Sequence, residues 1–249
     1  MFKGKTIVIT GAARGIGLAM ARHFLKRGGS VILSDERKDE LHMAGSELEA
    51  QYPSCVFVQH CDVRRKADVA ALAEYSVEST GRLDIWINNA GIVRDDLLVR
   101  MSEEKWDHVQ EVNLKGAFLG TQAAAKQMLR QKHGRILNIG SVSGFYGNGG
   151  QINYSSAKAG LVAITKSAAR ELASRNITVN CIASGFIDNE FASHVPLEIR
   201  TKILDSIPLK IGRNPEEAVA SAAAFLVSDD ADWITGATLR VDGGMMIGF

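Results

Sequence analysis

Short runs of apolar and β-branched residues alternate with longer helical patterns from one end of the chain to the other. Runs such as TIVIT (residues 6–10) and ILNIG (residues 136–140) are almost continuously apolar, as in strands of a sheet that is covered on both faces. The helical patterns between them, such as residues 15–27 and 67–80, are long enough to cross over between parallel strands. This alternation requires a layered α/β structure.

Seven runs are predicted to be strands of a doubly wound (Rossmann) α/β fold, whose parallel sheet of about seven strands has helices on both faces. The predicted strands are residues 6–10, 31–34, 56–60, 85–88, 135–139, 178–183 and 238–241. Ligands of this fold bind at the carboxyl ends of the strands. Functional residues are therefore expected in the turns that follow the strands.

One domain is predicted to span residues 1–249, because no linker and no repeat divides the chain. Residues 185–215 break the regular alternation. This segment is longer than an ordinary connection, contains a helical pattern at residues 197–206 and holds three of the four prolines. We expect it to form a lid that covers a substrate.

Charge and composition exclude several classes of protein. The 29 basic and 28 acidic side chains leave a net charge of +1, so no whole-protein field favours nucleic acid or an anionic membrane. The three cysteines form no C-x-x-C pair, and the six histidines show no metal-ligand spacing. No apolar run reaches the roughly 20 residues of a membrane span, and the first ten residues do not resemble a signal peptide. We expect a cytoplasmic protein without a metal ion.

A glycine-rich turn, TGAARGIG (residues 10–17), joins the first predicted strand to the first helix. Gly11, Gly15 and Gly17 allow a tight turn and a close approach of the backbone to a ligand, and a helix start offers unpaired N–H groups to a pyrophosphate. The glycines alone are weak evidence, because turns also need glycine for conformational reasons. Their position between a strand and a helix favours a dinucleotide site that includes Arg14 and Ile16.

Asp35 directly follows the second predicted strand, about 20 residues after the glycine turn. A carboxylate there accepts hydrogen bonds from an adenosine ribose and, with the neighbouring Glu36, repels a ribose 2′-phosphate. The alternative interpretation is that Asp35 caps the following helix. We favour ribose binding and hence NAD. Arg14 and Arg37 are both able to pair with a 2′-phosphate, which leaves NADP as the alternative cofactor.

Two further turns place polar residues at the same edge of the sheet. An acidic residue after the third predicted strand is able to accept a hydrogen bond from adenine, and the small residues of NNAG (residues 88–91), after the fourth, let a cofactor lie close. The alternative is that these residues only satisfy local backbone groups, and for Asn88 we favour that alternative. The candidate cofactor contacts in these turns are Asp62, Val63, Asn89, Ala90 and Gly91.

Tyr154 and Lys158 stand four residues apart in QINYSSAKAG (residues 151–160), and the other three tyrosines have no such lysine. Apolar side chains recur at helical spacing after them, so the pair lies one turn apart on one helix face. A phenol has a pKa of about 10, and a neighbouring ammonium shifts it towards the working pH, where the phenol exchanges a proton with a carbonyl or alcohol oxygen. The alternatives are an exposed tyrosine with a solvated lysine, or a subunit interface.

Ser141 and Asn113 complete the candidate catalytic residues. Ser141 lies at the carboxyl end of the fifth predicted strand and provides a second hydrogen bond to the same substrate oxygen. Asn113 is a poor helix former that interrupts a helical pattern in EVNLKG (residues 111–116), which is typical of a residue with a polar task such as holding a water near Lys158. A helix kink or internal turn explains Asn113 equally well.

Together, the glycine turn, NNAG, Asn113, Ser141 and the Tyr-x-x-x-Lys pair resemble the short-chain dehydrogenase/reductase family over essentially the whole chain. The resemblance implies that Tyr154 is the general acid and base and that Ser141 orients the carbonyl. It implies that Lys158 lowers the tyrosine pKa and binds the nicotinamide ribose, while Asn113 supports a proton-relay water. It also implies an NAD or NADP cofactor, no metal and commonly a homotetramer. Further cofactor contacts implied by the resemblance are Gly185, Ile187 and Asn189.

Within the family, the segment around Tyr154 and the ending WITGATLRVDGGM (residues 233–245) are similar to bacterial 3-oxoacyl-acyl carrier protein reductases. Those enzymes receive the acidic carrier protein on basic residues near the site entrance, and Lys132 and Arg175 match these positions. Ser184 replaces the family's usual proline after the sixth strand. Asn189 replaces the usual threonine, and its amide is able to take over the hydrogen bond of that hydroxyl.

The leading hypothesis is a reaction of fatty acid metabolism, in which hydride is exchanged between a nicotinamide cofactor and a 3-oxoacyl or 3-hydroxyacyl thioester. The alternative is an NAD-dependent dehydrogenase of another secondary alcohol, such as a cyclic alcohol, a polyol or a hydroxyacyl-CoA. Asp35 supports that alternative, since biosynthetic carrier-protein reductases usually take NADPH. A non-catalytic nucleotide-sensing protein is a third hypothesis, which the intact Ser141, Tyr154 and Lys158 disfavour.

Overall fold

Seven parallel strands form a single sheet in the order β3-β2-β1-β4-β5-β6-β7. The structure, a computed structural model, describes residues 1–210, 212 and 214–247, so residues 211 and 213 of the predicted lid and residues 248–249 of the predicted domain lie outside it. The strand order reverses between β1 and β4, as in doubly wound sheets. The predicted fold class is confirmed.

The strands agree closely with the prediction at β1, β4 and β7 and differ at β3, β5 and β6. The predicted third strand is two residues too long, because β3 lies at the sheet edge and pairs only with β2, over three residues. In the middle of the sheet, β5 and β6 pair over eight residues and are longer than predicted. The strands are β1 (Thr6–Thr10), β2 (Ser30–Ser34), β3 (Val56–Val58), β4 (Ile85–Asn88), β5 (Gly134–Ser141), β6 (Ile177–Ser184) and β7 (Thr238–Val241).

Helices connect successive strands and cover both faces of the sheet. A π-helical turn, Glu111–Lys115, joins α4 to α5. The helical pattern predicted within the lid is confirmed with the same bounds as α8. The helices are α1 (Gly15–Leu25), α2 (Lys38–Gln51), α3 (Lys66–Thr80), α4 (Glu103–Gln110), α5 (Gly116–Gln131), α6 (Ser143–Tyr146), α7 (Ile152–Leu172), α8 (Leu197–Ser206) and α9 (Pro215–Leu226).

The side chains of β1 show how the sheet separates two apolar cores. Ile7 and Ile9 pack with residues of α1, α2 and α9 on one face, whereas Val8 packs with residues of α3, α5 and α7 on the other. Successive side chains of a strand point to opposite faces, so a strand buried on both faces needs apolar residues at every position. This explains why TIVIT shows no polar alternation.

Candidate active site

A cavity of about 690 Å³ opens at the carboxyl edge of the sheet, where the glycine turn, the turn after β4 and the segment predicted as a lid (residues 185–215) meet. Asp35, Asp62, Val63 and Asn113 are predicted site residues that are not among its lining residues. The predicted residues that line it are Gly11, Arg14, Gly15, Ile16, Gly17, Asn89, Ala90, Gly91, Ser141, Tyr154, Lys158, Gly185, Ile187 and Asn189. The structure therefore brings most of the predicted residues together.

The glycine turn packs directly against the turn after β4. Gly11 has a φ of +65°, and a Cβ atom there would lie 2.8 Å from the Cα atom of Ala90, while a Cβ atom at Gly17 would collide with the carbonyl oxygen of Gly11. The Asn89 side chain donates hydrogen bonds to the carbonyl oxygens of Thr10 and Gly11, both at 2.9 Å. Glycine at positions 11 and 17 is thus needed for this close packing, and the turn leads into the start of α1, where backbone N–H groups attract anions.

Ser141, Tyr154 and Lys158, here called the Tyr154 cluster, meet at the floor of the cavity. Ser141 is the last residue of β5, and Tyr154 and Lys158 lie one turn apart on α7. The Lys158 Nζ atom lies 5.5 Å from the centroid of the Tyr154 ring and donates a 2.7 Å hydrogen bond to the carbonyl oxygen of Ile139. All three residues are buried, so the alternative of an exposed tyrosine with a solvated lysine is wrong.

Burial dominates the protonation of this cluster. It raises the pKa of Tyr154 to about 12, although a hydrogen bond with Ser141 acts in the opposite direction. It lowers the pKa of Lys158 to about 8. The expected lowering of the tyrosine pKa by the lysine is therefore not observed, because loss of hydration disfavours the charged form of both groups. Near neutral pH the phenol is protonated and is a proton donor.

Asn113 lies in the π-helical turn between α4 and α5, so the interpretation as an internal turn of the helix is confirmed. Its side chain accepts a hydrogen bond from the Ile92 N–H at 2.8 Å and donates one to the Ile92 carbonyl oxygen at 2.9 Å. A Cβ atom at Gly91 would lie 3.4 Å from the Asn113 Oδ1 atom and 3.6 Å from the Lys158 Nζ atom. Asn113 thus lies close to Lys158 and fixes the loop after β4.

Comparison of the sequence with known proteins identifies the family of this chain. A family model described as enoyl-(acyl carrier protein) reductase matches residues 11–246. The chain is 44% identical to the 3-oxoacyl-(acyl-carrier-protein) reductase FabG of Thermotoga maritima over 245 residues, which are 98% of this chain and 99% of that protein. It is 43% identical to the reductase of the same name from Staphylococcus aureus (97% and 98% covered) and 42% identical to that from Escherichia coli K12 (98% of each).

The chain belongs to the short-chain dehydrogenase/reductase family. It is therefore an oxidoreductase that uses a nicotinamide cofactor and acts on a CH–OH or keto group. The glycine turn, the Tyr154 and Lys158 pair and Ser141 at the end of β5, on which the resemblance rests, all lie at this cavity.

Asp35 of this short-chain dehydrogenase/reductase is buried beneath Arg37. Its Oδ2 atom accepts a 3.2 Å hydrogen bond from the Ala13 N–H in the glycine turn, and its Oδ1 atom accepts bonds from the N–H and Nε groups of Arg37 at 3.1 and 3.2 Å. The following helix begins at Lys38 without a side-chain cap, so Asp35 does not cap α2. Arg37 covers the carboxylate and itself lines the cavity.

Asp62 and Val63 are engaged with their own surroundings. The Arg64 guanidinium binds the Asp62 carboxylate through Nη2 at 2.7 Å and Nε at 2.9 Å, and this hydrogen bonding holds the pKa of the carboxyl below its usual range. Val63 packs against Gly116, where a Cβ atom would lie 2.8 Å from its Cγ2 atom. Arg64 was missed in the sequence, although its place two residues after Asp62 was visible.

Asn88 has the structural role that we favoured for it. It is buried, accepts a hydrogen bond from the Trp86 indole at 2.7 Å, and donates to Thr121 at 3.0 Å and to Asn138 at 2.8 Å. Every one of these partners lies within the sheet or on α5. Asn88 therefore supports the strands rather than contacting a ligand.

The start of the predicted lid segment lines the cavity. A Cβ atom at Gly185 would lie 2.7 Å from the Cα atom of Asp242, so the chain leaves β6 in close contact with the C-terminal loop. Ser184, in the place of the family's proline, donates a 3.2 Å hydrogen bond to the Gly140 carbonyl oxygen. Asn189 donates a 2.6 Å hydrogen bond to Glu216 and accepts one from the Phe191 N–H at 3.0 Å.

Several cavity residues were missed in the sequence, among them Asp95, Gln151, Phe191 and His194, because loops far apart in the chain bring them together. The Asp95 Oδ2 atom accepts a hydrogen bond from the Gln151 side chain at 3.0 Å and lies 3.1 Å from the His194 Nε2 atom. The Phe191 ring lies 6.3 Å from the Tyr154 ring. No motif or spacing signals these contacts, which link the loop after β4, the start of α7 and the lid.

Lys132 and Arg175 lie at the opposite edge of the sheet from the cavity. Both are exposed, and they immediately precede β5 and β6, whose carboxyl ends form the site. An eight-residue strand spans roughly 25 Å. Within a single chain, Lys132 and Arg175 therefore do not lie near the entrance of the cavity, and that expectation is wrong.

The described residues offer neither a membrane-spanning helix nor a cluster of metal ligands. Across residues 1–210, 212 and 214–247, no helix is long and apolar enough to cross a membrane. The same residues contain no group of three or more histidine, cysteine or acidic side chains that could hold a metal ion.

Proposed function

We propose that this oxidoreductase interconverts 3-oxoacyl and 3-hydroxyacyl thioesters, with acyl carrier protein as the carrier of the acyl group. The observation that carries the proposal is the Tyr154 cluster at the floor of a cavity in a chain that is 42–44% identical, over nearly its whole length, to 3-oxoacyl-(acyl-carrier-protein) reductases. The same relatives favour a thioester over a cyclic alcohol or a polyol. Apolar lid residues Phe191, Ile199 and Ile203 line the cavity and suit an acyl chain.

In the reducing direction, the residues act on the oxygen of the 3-oxo group. A nicotinamide cofactor supplies the hydride to the adjacent carbon. Tyr154, protonated near neutral pH, donates its proton to the oxygen as the negative charge develops there, and Ser141 orients the carbonyl by a hydrogen bond. The ammonium of Lys158, 5.5 Å from the tyrosine ring, stabilises the phenolate that the proton transfer leaves behind.

The test is a comparison of substrates with purified protein. Acetoacetyl thioesters of the carrier protein and of CoA should be reduced with consumption of NADH or NADPH. The comparison set consists of cyclic ketones and of cyclic alcohols and polyols with NAD or NADP. Turnover of the comparison set without turnover of any acetoacetyl thioester would replace the proposal by the alternative of another secondary alcohol.

We infer a preference for NAD from Asp35, a buried residue that directly follows β2 and stands beside the exposed Glu36. The Asp35→Ala variant should weaken NADH use and relatively improve NADPH use. Without the Asp35 carboxylate, the Arg37 guanidinium has lost this ion-pair partner and is more available to bind a 2′-phosphate. The matched control is Asp39→Ala, which removes an exposed acid from the first turn of α2. Equal ratios of kcat/KM for the two cofactors in all three proteins would contradict the preference.

We also infer a single domain with a substrate-covering lid at about residues 185–215, and assembly into a homotetramer. The lid is supported by Phe191 and His194, which reach Tyr154 and Asp95. Assembly is supported by exposed apolar side chains on α5, where Phe118 is 46% exposed. Light scattering should give the mass of four chains, and Phe118→Glu should lower it; a monomer in the unmodified protein would exclude assembly.

A further inference from the structure

The lid contacts the glycine turn through a charged pair. Glu190, in the 3₁₀ turn Glu190–Ala192 of the lid, forms an ion pair with the guanidinium of Arg14. Arg14 occupies the N-cap position of α1 in extended backbone, directly before Gly15. The lid carboxylate thus binds the one guanidinium that belongs to the turn predicted to receive the cofactor phosphates.

A second carboxylate lies beside the same turn. The Glu216 Oε1 atom, in the first turn of α9, accepts the 2.6 Å hydrogen bond from Asn189. A Cβ atom built on Gly15 would lie 3.4 Å from the Asn189 side chain and 3.6 Å from Glu216 Oε1. Glu190 is therefore paired with Arg14 at the start of α1, while its neighbour Asn189 is held beside Gly15 by its hydrogen bond to Glu216 of α9.

This arrangement conflicts with the charge of a dinucleotide. The pyrophosphate of a nicotinamide cofactor is anionic and is attracted to the start of α1 and to Arg14. Glu190 already pairs with that guanidinium, and a phosphate placed beside it would meet a like charge at short range. Glu190 and the phosphates cannot both occupy the side of Arg14 that faces the cavity.

We infer that Glu190 is an internal competitor of the cofactor phosphates for Arg14, and that cofactor binding releases this end of the lid. The inference rests on the proposed use of a nicotinamide cofactor. Glu190 is then an affinity-determining residue: it weakens cofactor binding and links the arrival of the cofactor to the position of the lid. The pair is partly exposed on both sides, at 38% for Arg14 and 69% for Glu190, so the effect is modest.

The test measures cofactor binding without substrate, by fluorescence titration of NADH and NADPH. Glu190→Gln should lower the dissociation constant about twofold to fivefold, which is the range expected for an exposed ion pair. The gain should shrink at high salt, because salt screens the pair. In an Arg14→Gln background, which itself weakens binding, Glu190→Gln should produce no further gain.

Glu198→Gln is the matched control, because it removes the charge of another exposed lid carboxylate that pairs with Lys202 instead of Arg14. An unchanged or higher dissociation constant in Glu190→Gln would overturn the inference. An equal gain in Glu198→Gln would overturn it as well, since the effect would then reflect only the total charge of the lid. If the unmodified protein and all variants bound neither cofactor, the proposed function itself would fail.

Discussion

Two clusters of buried polar side chains meet β5 at Asn138 and at Ser141, three residues apart, and they differ in how fully their groups are hydrogen-bonded. The first, here called the Asn138 cluster, consists of Asn138, Asn88, Thr121 and Thr165; the second is the Tyr154 cluster. In the first, Asn138 accepts from Asn88 at 2.8 Å and donates to Thr165 at 2.9 Å, and Thr165 donates to the Leu161 carbonyl oxygen at 2.7 Å. Its members are neutral amides and hydroxyls that bind one another.

The Tyr154 cluster contains two titratable groups with fewer partners. The Lys158 ammonium has three protons to donate and makes a 2.7 Å hydrogen bond with the Ile139 carbonyl oxygen. Burial moves the pKa of Tyr154 and that of Lys158 in opposite directions. A satisfied neutral network stabilises a sheet, whereas partly satisfied ionisable groups in a cavity are typical of an active site. The comparison predicts that one cluster serves stability and the other serves turnover.

The largest expected effect is on turnover in the Tyr154→Phe variant. Loss of the proton donor should lower kcat about 10²- to 10⁴-fold, because the developing oxyanion no longer receives a proton. The phenol makes no contact in the Asn138 cluster, so the melting temperature and the dissociation constant for NADH should stay close to those of the unmodified protein. Steady-state kinetics, thermal unfolding and fluorescence titration measure the three quantities.

Two results for Tyr154→Phe would contradict this division of roles between the two clusters. A kcat within tenfold of the unmodified value would mean that Tyr154 is not the proton donor. A large fall in melting temperature would mean that the Tyr154 cluster also holds the fold together.

The next effect is on stability in the Asn138→Ala variant. Removing the amide takes away one hydrogen-bond partner of Asn88 and one of Thr165 inside the protein and creates a cavity, which should lower the free energy of unfolding by about 2–4 kcal/mol. The kcat per folded molecule should change little, since Asn138 is not among the residues that line the cavity. Chemical denaturation and kinetics at a temperature well below the transition provide the two readouts.

Thr121→Val offers a matched control within the same cluster. It removes a single hydroxyl that accepts from Asn88 at 3.0 Å, and it should cost less than Asn138→Ala. A kcat that falls in parallel with stability in both variants would show that the two clusters are not separate.

The sequence was sufficient to predict the sheet and the Tyr154 cluster, because both depend on short-range patterns. Parallel pairing in a doubly wound sheet follows from the alternation of strands and helices, and the helical spacing of Tyr154 and Lys158 places them on one face. Ser141 was identified because it ends a strand at the edge where such folds bind ligands. These inferences need only the chain's local periodicity and the general rules of α/β folds.

Contacts between distant loops were not predictable in this way. Asp95 meets His194 across 99 positions of the chain, and Glu190 meets Arg14 only because the lid returns over the first turn of α1. Burial was also misjudged: the sequence shows a lysine beside a tyrosine, but it does not show that water is excluded from both. That exclusion reverses the expected direction of the tyrosine pKa.

The smallest expected effect is on the free energy of unfolding of the Lys158→Met variant, which should rise slightly. The same variant should lose turnover. Near neutral pH the folded protein holds an ammonium in a buried site, where its pKa is lowered from 10.5 to about 8. Replacing a buried charge by an apolar side chain of similar length should raise the free energy of unfolding by about 1–2 kcal/mol at pH 7. Lys166→Met, which removes an exposed lysine from the same helix, is the control and should change little.

The pH dependence separates this explanation from a simple packing effect. Between about pH 8 and the ordinary pKa of 10.5, the folded state has lost the Lys158 proton while the unfolded chain still binds it, so the stability of the unmodified protein rises with pH through this window. Above pH 10 the raised pKa of Tyr154 acts in the opposite direction, because the folded state then holds the extra proton. The advantage of Lys158→Met should therefore shrink from pH 8 to pH 10. A constant advantage over that range would mean that the buried ammonium carries no stability cost, and the contrast between the two clusters would then lie in packing rather than in charge.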